Sequence, residues 1–163
     1  MRSGLKITED TSQLPRLIAD LTALKHGTVT VGWHAEGPKA NRQEGGATNA
    51  EVAAVHEFGN DHVERRPSLG PAIDAHKDDL IDLQGQVLGK VIDGTMTAEQ
   101  AMGVVGEAGV AFVKDRIVNS PHPPPLADAT VAAKGSSKPL INTGQMLASV
   151  SYAVDLTGAT DAG

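Results

Sequence analysis

The last regular stretch of the chain sets the tightest limit on what it can fold into. From Ser149 onward, Val150, Tyr152, Val154 and Leu156 alternate with Ser149, Ser151, Ala153 and Asp155. Successive strand side chains point to opposite faces, so this period of two describes a strand with one buried face. Such a strand needs a partner. Thr28 to Ala35 offers one, with Val29, Val31 and Trp33 on one face and Thr30, Gly32 and His34 on the other; a neighbouring subunit is the alternative.

Most of the chain between these two stretches repeats on the helical period. Ahead of the first strand, Leu14, Leu17, Ile18, Leu21 and Leu24 form one face of a helix, with Ser12 as its cap, Pro15 in the first turn and Gly27 at its end. A short helix runs from Asn49 to Phe58 and stops at Gly59 and Asn60. Pro67 to Ala72 leads into one longer helix with Ile73, Leu80, Val87 and Val91 on a stripe, Leu83 and Leu88 beside it, and Gly94 closing it. The next helix is capped by Thr97 and turns Ala101, Val104, Val105, Ala108, Phe112 and Ile117 to the core. Gly103, Gly106 and Gly109 weaken this helix but let a neighbouring element approach closely. Leu5 and Ile7, alternating with Lys6 and Thr8, outline a further short strand.

Together these elements predict an α+β fold, a small antiparallel sheet packed on several α-helices, in a single domain over 1–156. Residues 36–48 read as a mobile loop, because Gly37, Pro38, Gly45 and Gly46 stand there among charged residues. The run Pro121-His122-Pro123-Pro124-Pro125 opens an extended arm over 120–139, and 157–163 read as a flexible tail. With only Trp33, Phe58, Phe112 and Tyr152 as aromatics, the core must be aliphatic and alanine-rich.

The same composition excludes several functions. The net charge of −6 has both signs interspersed and no Lys/Arg block to neutralise a run of phosphates. Four aromatics make no stacking platform for single-stranded bases. Cysteine is absent, so no disulfide or thiolate site exists and synthesis in the cytoplasm is expected. No apolar run approaches the roughly 20 residues that span a bilayer, and Met1 to Asp10 lacks a signal-peptide core, so no membrane association is expected.

Candidate chemistry is sparse. His56, Glu57 and His62 suggest zinc ligands, but a His-Glu-x-x-His site needs a second histidine where Asn60 stands. His34, His76 and His122 are scattered. Gly135-Ser136-Ser137 lacks the strand-to-helix elbow of a serine nucleophile, the α-helical glycines lack the Lys-Ser/Thr of a phosphate loop, and Asp78, Asp79 and Glu64 read as solvated carboxylates. No catalytic residue, metal or cofactor is therefore expected. Arg65 and Arg66, on a stiff turn before Pro67, could form bidentate pairs with carboxylates of another subunit or balance the acidic turn before them.

Two blocks resemble the tail-completion and tail-component proteins of siphophages, which are similar in pattern to phage virion-morphogenesis proteins. The first is Asn49-Ala50-Glu51-Val52-Ala53-Ala54-Val55-His56-Glu57-Phe58-Gly59, followed by Arg65-Arg66-Pro67-Ser68-Leu69-Gly70-Pro71-Ala72; Ser68 and Gly70 replace an aromatic and a basic residue usual there. The second is Pro123-Pro124-Pro125-Leu126, Thr130, then Lys134-Gly135-Ser136-Ser137-Lys138-Pro139-Leu140-Ile141-Asn142-Thr143-Gly144-Gln145-Met146, Ser149 and a terminal strand with Tyr152. Asn142 stands for the family's Asp and Met146 for its Leu. Asn142 or Thr143 can cap a short helix, Gly144 permits a tight turn into it, and Met146 and Val150 bring the chain back to the core.

The resemblance implies a structural virion protein of the neck or tail end, made in the host cytoplasm, acting by tail completion or head-to-tail joining. It would form a six-fold or twelve-fold ring of identical subunits, contact the tail terminator, tail tube and connector proteins, and let DNA pass unbound. Glu57, Phe58, Arg65, Arg66, Leu69, Thr143, Met146 and Tyr152 are the expected assembly contacts. The alternatives are a small metal-dependent enzyme using His56, Glu57 and His62, and a morphogenesis factor absent from the finished particle.

Overall fold

The computed structural model describes residues 11–42, 46–121, 123, 125, 128, 131–132 and 144–157. Among them it has six helices and two strands: α1 (Leu14–His26), β1 (Thr28–Gly32), α2 (Asn49–Phe58), α3 (Leu69–Ala75), α4 (Lys77–Ile92), α5 (Ala98–Asn119), α6 (Gln145–Ser149) and β2 (Ser151–Asp155). The fold is α+β. The expected strand at Leu5 and Ile7 and most of the proline arm lie outside the described residues.

The two period-two stretches pair with each other. β1 and β2 are antiparallel, in register from Thr28↔Asp155 to Gly32↔Ser151. β1 stops at Gly32 and not at Ala35, because Gly32 has φ +147, a conformation that L side chains rarely adopt and that ends the pairing. Beyond it the indole Nε1 of Trp33 donates to the Met146 carbonyl at 2.7 Å, fixing the chain end of β1 to α6.

One face of this ribbon lies on α5, and the glycines make that contact possible. A Cβ on Gly106 would sit 2.5 Å from Tyr152 Cδ2, and one on Gly109 would sit 2.9 Å from Val31 Cγ2. The helix therefore receives both strands where it has no side chains. This turns α5 relative to its expected face: Ala101, Met102, Gly106, Gly109, Val113 and Ile117 are buried, while Val104, assigned to the core by its spacing, is exposed.

The long helix expected between Ala72 and Gly94 is two helices. The backbone breaks at His76 (φ −115, ψ 22), whose ring stacks on Phe112 with centroids 3.9 Å apart. The break lets α3 bury Ala72 and α4 bury Val87 and Val91 in two separate clusters. Ala53, Ala72, Val113, Ile117, Met146 and Val150 build the first, and Val87, Val91 and Ala101 the second. Small aliphatic side chains fill both, as the shortage of aromatics requires.

Helix starts are set by polar side chains. Thr48 and Glu51 form a capping box on α2, and Thr97 and Gln100 form one on α5. Asp20 of α1 also accepts from Ala98 N at 3.0 Å, tying α1 to the start of α5. On α1 itself the cap position is Gln13 and not Ser12, since a backbone turn, Leu14 N to Thr11 O at 3.1 Å, takes the first donor. Part of the expected mobile loop is anchored: Ala40 is buried, and its carbonyl accepts from Asn49 N at 2.9 Å. Among the described residues no helix is long and apolar enough to cross a membrane.

Candidate functional site

The first signature block folds into a clamp between two helix ends. At the close of α2, Gly59 adopts φ +74 and reverses the chain. Asn60 Oδ1 then accepts from His62 N at 2.9 Å and Val63 N at 2.8 Å, which stiffens the turn. The returning chain is stitched to α2 by Arg66 N to His56 O at 2.8 Å and by Arg65 Nε to Glu57 O at 3.0 Å.

Glu57 completes the clamp. Its carboxylate accepts from Ser68 N at 2.7 Å, Leu69 N at 3.0 Å and Gly70 N at 2.9 Å, which are unpaired donors at the start of α3. A negative charge there also opposes the positive end of the helix dipole. Gly70 suits the arrangement because a Cβ would stand 3.2 Å from Glu57 Oε1.

This placement bears on the metal alternative. Both oxygens of Glu57 are engaged by backbone N–H groups at the start of α3. Among the described residues no group of three or more His, Asp or Glu could hold a metal ion.

The described end of the second block, from Gly144 onward, is likewise architectural. Gly144 has φ +76 and turns the chain into α6, while Met146 and Val150 are buried. Ser149 Oγ donates to Met146 O at 3.0 Å, inside the helix. Tyr152 lies half-buried along Gly103 and Gly106.

The seven described members of the expected assembly set do not share one exposed surface. Phe58 is 77% exposed and Arg65 is exposed; Glu57, Leu69 and Tyr152 are half-buried. Arg66 and Met146 are buried, and Thr143 lies outside the described residues. Reversing the charge of Arg66 would thus act on folding before it acted on any contact with a neighbour.

Besides Phe58, apolar residues stand outward in rows on two helices. Leu14, Ile18 and Leu21 line the outer side of α1, and Ile81, Leu88 and Ile92 recur on the outer side of α4, with Ile18 63% exposed and Ile81 and Ile92 both 53%. The signal was in the sequence. α4 carries apolar residues on two sides, more than one core can cover.

The strand pairing also creates a polar contact that spacing alone could not reveal. On the sheet face away from α5, His34 Nδ1 lies 3.0 Å from Ser151 Oγ and His34 Nε2 lies 3.1 Å from Thr30 Oγ1. In a Ser-His nucleophile the second imidazole nitrogen is oriented by a third group, most often a carboxylate. A threonine hydroxyl holds that position here, and the trio ties the two strands together.

An apolar cleft of 720 Å³ opens between β1, α3, α4 and α5. Val29, Val31, Ile73, Leu80, Val87 and Val105 contribute to it, and Asp74 and Gln84 are its only polar side chains among the described residues.

Two exposed carboxylates are tuned by local bonds. The Thr48 backbone N–H and then its hydroxyl hold the Glu51 carboxyl below its ordinary value, and the Thr157 hydroxyl and then its N–H do the same for Asp155. Both are structural groups at the ends of elements.

The chain matches no protein-family model, no curated protein and no solved structure. A functional reading therefore stands on the chain's own residues.

Proposed function

We propose that this chain is a structural protein of a phage neck or tail end, which works by assembling with copies of itself into a ring around the DNA passage and not by catalysis. The two signature blocks suggest the virion setting. The observation that carries self-assembly is the pair of outward apolar stripes, Leu14, Ile18 and Leu21 on α1 and Ile81, Leu88 and Ile92 on α4. Single exposed apolar residues are ordinary, but rows of them along two helices mark a surface that another protein covers.

The net charge of −6 suits the same role. Copies arranged around a channel accumulate negative potential, which repels DNA and keeps it from adhering. The partners above and below the ring would be the tail tube with its terminator and the connector.

The deciding measurement is the mass of the purified protein by light scattering, alone and mixed with tail tubes. A ring, or a monomer that becomes one on the tube, supports the proposal. A protein that stays monomeric and leaves tubes unbound sinks it. The Ile81→Lys/Ile92→Lys variant should keep its circular dichroism and lose assembly; full assembly by that variant would remove α4 from the contact.

A further inference from the structure

We propose that Phe58 of one copy inserts into the 720 Å³ cleft of the next, with Arg65 beside it pairing with Asp74 at the cleft mouth. The inference rests on the self-assembly reading and supplies the contact by which one copy takes hold of another.

Phe58 is placed as an anchor. It is 77% exposed, the most exposed of the described large apolar residues, and it stands at the end of α2, apart from the rows on α1 and α4. The turn that follows it is held by the Asn60 side chain and by Arg65 Nε on Glu57 O at 3.0 Å. An aromatic ring presented from a stiff turn loses little freedom on binding, and such rings in apolar pockets carry much of an interface's strength.

The cleft is the matching hole. Its lining between β1, α3, α4 and α5 is aliphatic, and it has room for a phenyl ring and the backbone that carries it. Leu88 belongs both to this lining and to the outward row of α4. A neighbour that covers the row therefore closes over the cleft.

Charge selects the same pairing. Asp74 is exposed and is the one ionisable side chain lining the cleft among the described residues, where no hydrogen bond or ion pair engages its carboxylate. Arg65 shares a pocket rim with Phe58, is exposed, and has no carboxylate partner among the described residues. With Nε bound to Glu57 O, its two Nη groups remain to grip a carboxylate end-on. Asp61 and Glu64 share the turn, so the pair fixes the register of the contact more than the overall attraction.

Topology makes the occupant a second copy. Phe58 borders a smaller pocket with Thr30 and His34, on the ribbon face away from α5, whereas Val29 and Val31, on the opposite face, line the cleft. With the ribbon between them, a copy's own ring does not reach its own cleft. Knob and hole are different surfaces, so the contact is heterologous, the class that generates rings; a self-complementary patch stops at a dimer.

The chain lacks cysteine, so Glu64→Cys protein can be mixed with Gln84→Cys protein, under the conditions that give the ring, and joined with a short bismaleimide. Both sites are exposed, one on the Phe58 turn and one on the cleft lining. A cross-linked dimer that disappears when Phe58→Ala is added to the Glu64→Cys chain is the expected result. No cross-link in assembled protein, or one that survives Phe58→Ala, would overturn the contact. By light scattering, Phe58→Ala should keep its circular dichroism and weaken association at least about tenfold. Arg65→Glu and Asp74→Arg should each weaken it, and the two on one chain should restore it; a swap no better than its singles refutes the proposed register. Rings formed by Phe58→Ala at the parent's concentration would refute this contact and leave self-assembly standing, whereas a parent monomeric both alone and on tail tubes removes both.

Discussion

Replacing Glu57 by alanine should cost the fold about 3 kcal/mol. The carboxylate holds three backbone donors, at 2.7, 3.0 and 2.9 Å, and the first belongs to buried Ser68. A lost helix cap typically costs about 1 kcal/mol and at most about 2. A hydrogen bond to a charged group contributes roughly 1.5–3 kcal/mol, but water can reach part of the α3 start in the variant and recover some of it. The three bonds are not additive for that reason, and about 3 kcal/mol is the balance. Glu57→Gln keeps one acceptor oxygen and points an amide N–H₂ toward N–H groups, so it should lose about half as much. Urea unfolding with an unchanged m-value reads the difference directly. A loss below about 1 kcal/mol in Glu57→Ala, or a glutamine variant as damaged as alanine, would mean that the clamp between α2 and α3 does not depend on this carboxylate.

The glycines of the helices should separate by what lies above them. Gly106→Ala drives a methyl group into Tyr152 and should cost about 1–3 kcal/mol, whereas Gly85→Ala, which meets nothing within 4 Å, should stabilise α4 by about 0.5–1 kcal/mol; thermal melts of both variants test the contrast. Trp33→Phe removes the donor to Met146 O and should lose about 1 kcal/mol, and a variant indistinguishable from the parent in urea would show the bond to be idle. Glu51, whose carboxyl is held below the ordinary 4.5, contributes stability that is present above that pH and is lost as pH falls through its lowered folded value. The gap in melting temperature between the parent and Glu51→Gln should therefore be open at neutral pH and close in acid; a gap constant with pH would contradict the capping-box account.

The fold was legible where one element's own pattern decides it. Strand alternation at Val29–Trp33 and Val150–Leu156, the helix over Asn49–Phe58 and the glycine row on α5 all state local geometry. What local pattern cannot state is partnership. Both strands read the same whether they pair within the chain or across subunits, and only the three-dimensional register joins Thr28 to Asp155. The division at His76 is hidden in the sequence because Ile73 and Leu80 continue one helical stripe across it, while the ring that stacks on His76, Phe112, belongs to another helix. Glu57 was singled out for a real reason, but its contacts lie 11 to 13 residues further along the chain. At that separation a carboxylate serving three N–H groups looks the same as a metal ligand or a contact for a neighbour.

The pairing of β1 with β2 has a consequence for how the protein comes into being. The strands are roughly 120 residues apart, so their contact is among the most non-local the chain can make, and such contacts form late and slow the folding rate. On the ribosome, β1 and α1 emerge long before β2 exists, and α5 is complete before Gly103 and Gly106 meet Tyr152. The nascent chain must carry an unpaired β1 and an uncovered face of α5 until residues 151–155 emerge, and the sheet can close only then.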